Sequence, residues 1–190
     1  MRMALTEPTR TALTEGQVRI RAYRLGDEDA LFEAVSESIP EVSVWLPWCH
    51  PGYSRTESAA WVVSRPEAWK KDEAYDFAIE GARDGRFLGG CGLRWTDRNS
   101  RCANLGYWVR SSCAGRGVAT AAARLVARFG FEDLGLQRIE ILAAVENHAS
   151  RRVAEKLGAA KEGILRRRFV IEGEPQDGVL YSLVAEDMLA

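Results

Sequence analysis

The chain has 190 residues, a formal net charge of −1, and 46% apolar against 28% charged residues. That is enough apolar surface for one core, and a balance that argues against a general nucleic-acid binder, which would carry a strongly basic face. The four cysteines (Cys49, Cys91, Cys102, Cys113) form no Cys-x-x-Cys pair and have only His50 and His148 for company, so no metal site is expected.

No stretch approaches the roughly 20 apolar residues that cross a bilayer, so no membrane partner is expected. Residues 1–16 hold no signal-like apolar run, and the cytoplasm, with reduced thiols, is the expected compartment. These residues, rich in Thr, Glu, Arg and Pro, read as a flexible lead-in, and residues 17–190 as a single domain. Val18 to Ala22 alternates apolar with basic residues, the pattern of a short strand. Gly26-Asp27 then opens a helix with Ala30, Leu31, Ala34 and Val35 on one face. The segment Val44-Trp45-Leu46-Pro47-Trp48-Cys49-His50-Pro51 is too broken by proline for a regular element. Ser54-Arg55-Thr56-Glu57 has the form of a capping box, which starts a second helix; Pro66 leaves its end open.

From Ala74 to Arg94 the period becomes two. Tyr75, Phe77 and Ile79 alternate along one strand, Arg83-Asp84-Gly85 supplies a turn, and Phe87 to Leu93 returns. Asp97 to Ser100 makes another turn before a third strand, Ala103 to Arg110, so an antiparallel meander is expected. A glycine-rich loop, Cys113-Ala114-Gly115-Arg116-Gly117, leads into a helix with Val118, Ala122, Leu125, Val126 and Phe129 on one face, punctuated by Gly130 and Gly135. Arg138 to Val145 is an apolar strand, Asn147 caps a helix ending near Leu157, and strands around Ala160–Val170 and Val179–Val184 close the chain. The whole reads as one mixed α/β domain without repeats.

The strand–loop–helix stretch Arg110 to Thr120 is the most informative. Glycines let the backbone approach a ligand, and the helix start offers unpaired N–H groups at the positive end of its dipole, a setting for a pyrophosphate. The Gly-Lys-Ser/Thr triplet of a P-loop is missing, and Thr120 stands where a dinucleotide fingerprint has its third glycine. From these residues alone, a tight turn without ligand is an equal reading.

The neighbouring residues carry a resemblance. Gly106-Tyr107-Trp108-Val109 followed by Gly115-Arg116-Gly117-Val118-Ala119-Thr120 resembles the acetyl-CoA signature of the GNAT acetyltransferases. Gly135-Leu136-Gln137-Arg138, Asn147-His148-Ala149-Ser150, Ala154-Glu155-Lys156-Leu157-Gly158 and the upstream Leu46-Pro47-Trp48 are similar to its RimJ/RimL branch, which acetylates ribosomal-protein N-termini. The resemblance implies a central, mostly antiparallel twisted sheet flanked by helices, with strands splayed at the acetyl-CoA site. It implies backbone contacts to pantetheine from Trp108, Val109 and Arg110, and a pyrophosphate cradle from Gly115, Arg116, Gly117, Val118, Ala119 and Thr120. Asn147 would touch the pantetheine arm, Arg152 the phosphates, and Ser150 would protonate the leaving thiolate. Helix capping for Asn147 and a solvated basic face for Arg151, Arg152 and Lys156 are the bland counterparts.

Trp45, Trp48 and His50 lie where the family builds its acceptor wall, although anchoring of the loop explains the tryptophans equally. The branch also implies a homodimer, and an acceptor that is a protein N-terminal α-amine or a small amine. The sequence departs from the pattern at three places: Ala114 opens the signature, and Asn104 and Phe169 stand where glutamates are common. Asp177, His50 and Tyr181 are the substitute bases, with Asp177 also assigned to the acceptor. A CoA-binding regulatory protein with little turnover is the alternative function.

Overall fold

The structure, a computed structural model, describes residues 10–189. Strands β1 (Ala12–Glu15) and β2 (Val18–Ala22) pair antiparallel around Gly16, whose φ of +58° reverses the chain. The strand β1 corrects the expectation of a flexible lead-in up to residue 16; residues 1–9 lie outside the described residues. Only Leu13 of β1 turns into the core, where it joins the cluster beneath the sheet, and Arg10 and Glu15 reach acidic and basic partners, Asp133 and Arg124. A strand with one buried apolar side chain leaves almost no periodic signal.

Helix α1 (Glu28–Val42) and helix α2 (Arg55–Lys70) follow, separated by the irregular tryptophan segment. The Ser54 capping box is formed in both directions. Helix α2 continues past Pro66 and brings Trp69 against Tyr75, Phe77 and Phe129, with ring centroids 5.1, 5.1 and 5.7 Å away. That aromatic cluster offsets the helical hydrogen bond that proline cannot donate. The expected meander is present as β3 (Ala74–Gly81), β4 (Phe87–Asp97) and β5 (Cys102–Val109). A 3-10 turn, Ser111–Cys113, precedes α3 (Val118–Glu132), which runs through Gly130 instead of stopping there. A Cβ at Gly130 would meet side-chain methyls of Ile139 and Leu136 at 2.9 Å, so this glycine serves packing rather than helix termination. Then come β6 (Arg138–Ala144), α4 (His148–Lys156), β7 (Ala160–Ile171) and β8 (Glu174–Leu183).

The strands form one eight-stranded sheet in the order β1-β2-β3-β4-β5-β6-β8-β7. Every neighbouring pair is antiparallel except β5 with β6. That pair is in register only at Cys102–Arg138, Ala103–Ile139 and Asn104–Glu140. Beyond Asn104 the strands diverge, β5 staying with β4 and β6 with β8, so the sheet opens as a V. The apolar residues of α3 and α4 cover one face, with Ile20, Phe77, Leu105, Ile141 and Tyr181. Helices α1 and α2 cover the other, with Tyr23, Ala78 and Phe87. No helix among the described residues is long and apolar enough to cross a membrane.

Candidate active site

Strand β5 delivers the chain to the glycine loop at the wide end of the V. Gly115 and Gly117 have φ of +74° and +80°, and Gly117 is the N-cap of α3. A Cβ at either would meet nothing within 4 Å, so the glycines are required by backbone conformation and leave the loop surface bare. The N–H groups of Gly115, Arg116, Gly117, Val118, Ala119 and Thr120 have no acceptor among the described residues. Together with the end of the α3 dipole they form a donor surface for an anion.

Helix α1 holds this loop from behind. The buried Arg110 guanidinium pairs with Glu37 at 2.5 Å and with Glu33, while Glu37 also accepts the Ser112 N–H at 2.9 Å. The Ser111 N–H donates to Ser38 Oγ at 3.0 Å. Ser112, followed by Arg110, holds the Glu37 carboxyl down at about 2. The Arg110 N–H is itself bonded to the Leu88 carbonyl at 2.8 Å. Arg110, expected at the cofactor, thus commits its N–H and two of its five guanidinium donors to fastening the loop.

At the opening of the V, α4 faces β5. The Asn147 Oδ1 accepts the Ser150 N–H at 3.0 Å, so its capping role is real and only its amide NH2 remains for a ligand. Tyr107, alternating with Trp108 along β5, points to the α4 face. Its hydroxyl lies 2.9 Å from the Ser150 carbonyl oxygen and 3.1 Å from Ser150 Oγ. Burial, the largest effect, pushes the Tyr107 phenol up to about 12. No local pattern in the sequence gives Tyr107 this role, because the hydrogen bond spans elements far apart in the chain.

The opposite side of β5 faces a cavity of about 510 Å³ lined by Trp48, His50 and Trp108, and also by Tyr53, Trp61 and Arg94. Its floor is Gly90, Gly92 and Gly106, which lie across β4 and β5. Trp48 and Trp108 meet edge to face at 5.5 Å. His50 Nε2 lies 2.9 Å from Glu57 Oε1, and Ser54 first, then His50, keeps the Glu57 carboxyl below the usual range. Buried Asp76, missed in the sequence, is neutralised by Arg65 at 2.6 Å and approached by Arg94 at 3.5 Å.

Other expected residues fall elsewhere. Trp45 is half-buried in a turn and does not line the cavity. Asp177 also stays out of it; its carboxylate accepts the Arg167 N–H at 2.8 Å within the β7–β8 ribbon. Tyr181 is buried in the core, with a hydroxyl that finds no partner among the described residues. Arg152 is exposed and pairs with Glu155 at 3.1 Å. The amide of Asn104 donates to the Glu140 carbonyl at 3.3 Å, closing the apex of the V.

Comparison with known proteins places this geometry. Residues 17–160 match the acetyltransferase (GNAT) domain. A relative named as a ribosomal N-acetyltransferase, YdaF of Bacillus subtilis, is 30% identical over 179 residues, covering 93% of this chain and 96% of its own. The RimJ protein of Mycobacterium smegmatis, solved in complex with CoA-disulfide, superposes with a TM-score of 0.79 at 28% identity, covering 90% of this chain and 83% of that one. The spermidine N(1)-acetyltransferase of Escherichia coli is 32% identical, but over only 40% of this chain and 41% of its own.

Proposed function

Because the chain belongs to the GNAT acetyltransferase family and is an acetyl-CoA-dependent N-acetyltransferase, we propose that its acceptor is a protein N-terminal α-amine. The observation that carries this is the aromatic cavity on the face of β5 away from α4, which reaches Asn104, where β5 leaves β6. A peptide end suits a cavity that is broad, largely aromatic and open at a mouth carrying Arg94 and the His50–Glu57 pair. Full-length alignment with a relative named for ribosomal N-acetylation supports the same acceptor.

In this reading the N–H groups from Gly115 to Thr120 hold the CoA pyrophosphate. The unpaired edge of Trp108 and Val109, with the Asn147 amide, lines the pantetheine path, and backbone donors on that edge polarise the thioester carbonyl. The amine attacks, and Ser150 protonates the departing thiolate. Asp76 is spent on arginines, so no carboxylate in the cavity is free to act as a strong base beyond the His50–Glu57 pair. An α-amine with a pKa of about 8 is already partly neutral at neutral pH, and water can carry its proton away. Trp48 and His50 belong to the acceptor wall, Trp45 and Asp177 have no part in it, and the exposed Arg152 is kept for the CoA phosphates. The family reading also keeps a homodimer, which sedimentation showing a strict monomer at high concentration would remove.

The test is thiol release from acetyl-CoA with a panel of ribosomal-protein N-terminal peptides and of small amines, spermidine included, followed by product mass. Peptides acetylated on the α-amine with a kcat/KM at least tenfold above any small amine is the expected result. Preference for polyamines would move the acceptor to the small-amine class. CoA binding without turnover on any acceptor would leave a regulatory protein.

A further inference from the structure

Among the described residues, the Tyr107 hydroxyl is the one group within hydrogen-bond distance of Ser150 Oγ. We propose that Tyr107 is the positioning residue of acetyl transfer, holding the Ser150 side chain at the opening of the V and supplying a hydrogen bond to Oγ while the serine proton passes to sulfur. The inference rests on the reading that Ser150 is the general acid.

Tyr107 has a single O–H and two oxygens in reach, the Ser150 carbonyl at 2.9 Å and Oγ at 3.1 Å. When the phenol donates to the carbonyl, the serine O–H donates to the phenol oxygen and its proton is turned away from the gap. When the phenol donates to Oγ, the serine O–H is released to point at sulfur. Passing from one state to the other needs only rotation of two hydroxyls, with no heavy atom displaced. In the second state the phenol also stabilises charge left on Oγ as its proton departs.

The ledger closes. The C–S bond breaks with its electron pair on sulfur, and the Ser150 proton goes to that sulfur. The proton shed by the acceptor nitrogen returns through water to Oγ. Tyr107 keeps its own proton throughout, which the burial that pushes its phenol up to about 12 favours. Tyr107 therefore adds no titrating limb at neutral pH.

Tyr107→Phe, Ser150→Ala and the double variant test this as a cycle, with melting checked for each. Ser150→Ala is expected to lower kcat about 10²–10⁴-fold. Tyr107→Phe is expected to lower kcat about tenfold, with KM for acetyl-CoA changed less than about twofold. The double variant should be no more than about twofold slower than Ser150→Ala, since residues acting as a unit are not additive. Replacing Tyr107 with a ring-fluorinated tyrosine, which keeps shape and hydroxyl, should shift kcat in the wild type and leave Ser150→Ala unchanged. Losses that multiply in the double variant, or a Tyr107→Phe enzyme altered in KM alone, overturn the role of Tyr107 and leave Ser150 in place. Ser150→Ala at wild-type speed, or no thiol release by the wild type with any amine, overturns both.

Discussion

Gly117 carries a φ of +80° with open space where a side chain would project. Valine there would strain the backbone by about 1–2 kcal/mol and aim methyl groups at the anion surface. Gly117→Val is therefore expected to weaken acetyl-CoA binding at least tenfold by calorimetry, with a small loss of melting temperature; unchanged affinity would place the pyrophosphate elsewhere. The acceptor sets the pH dependence. With no strong base in the cavity, kcat/KM should rise with pH as the amine deprotonates, with a midpoint of about 8 for a peptide end and about 10 for a lysine-type amine. A limb that ignores the identity of the acceptor would instead implicate His50 on Glu57. Gly115, Gly117 and the Asn147 cap were legible because each is a local backbone device. Tyr107, Asp76 and Arg94 were not: their roles come from partners on other strands and helices.

The strands and helices were readable where period and caps agreed, as in the Ser54 box and the meander, and obscure where tertiary packing overruled local preference. Trp69 carries α2 past Pro66, and the methyls around Gly130 keep a glycine inside α3. No local pattern says where β5 parts from β6, because that divergence depends on which neighbour each strand keeps. Two elements make testable claims. Strand β5 lays Gly106 on the cavity floor, where an added Cβ meets nothing within 4 Å. Gly106→Val should keep or raise stability, by up to about 1 kcal/mol, because valine suits a strand. The same change should raise KM for bulky acceptors while acetyl-CoA affinity stays constant, and an unaltered acceptor profile would show that the amine does not cross this floor. Helix α1 grips the loop through Glu37, whose folded pKa is lowered to about 2 from an unfolded value of about 4.3. A lowered carboxylate contributes stability above the unfolded value and loses it as pH falls through the folded one. Glu37→Gln should therefore melt lower at neutral pH, and its deficit against wild type should shrink between about pH 4 and about pH 2.

The halves of the molecule divide the work. On the proposed reading the N-terminal half, β1 to β5 with α1 and α2, builds the acceptor cavity, the β5–α3 loop and α4 build the CoA side, and the open V is the passage between them. That reading has two substrates occupying the protein at once and meeting beside Ser150, which favours direct transfer over an acetyl-enzyme. The thiols agree with this. Cys49, Cys91, Cys102 and Cys113 are all buried, and Cys91, which borders the cavity, has its thiol pushed well above the usual range by burial first and Asp76 second. A thiol so far from ionisation supplies almost no thiolate to attack a thioester. Initial-rate plots at several fixed acceptor concentrations should give intersecting lines, and intact mass after incubation with acetyl-CoA alone should show unmodified protein. Cys91→Ser should keep turnover within about threefold, since a serine at this site removes the thiol and preserves most of the volume. Parallel lines, together with an acetyl adduct that Cys91→Ser abolishes, would replace the direct route with a covalent one.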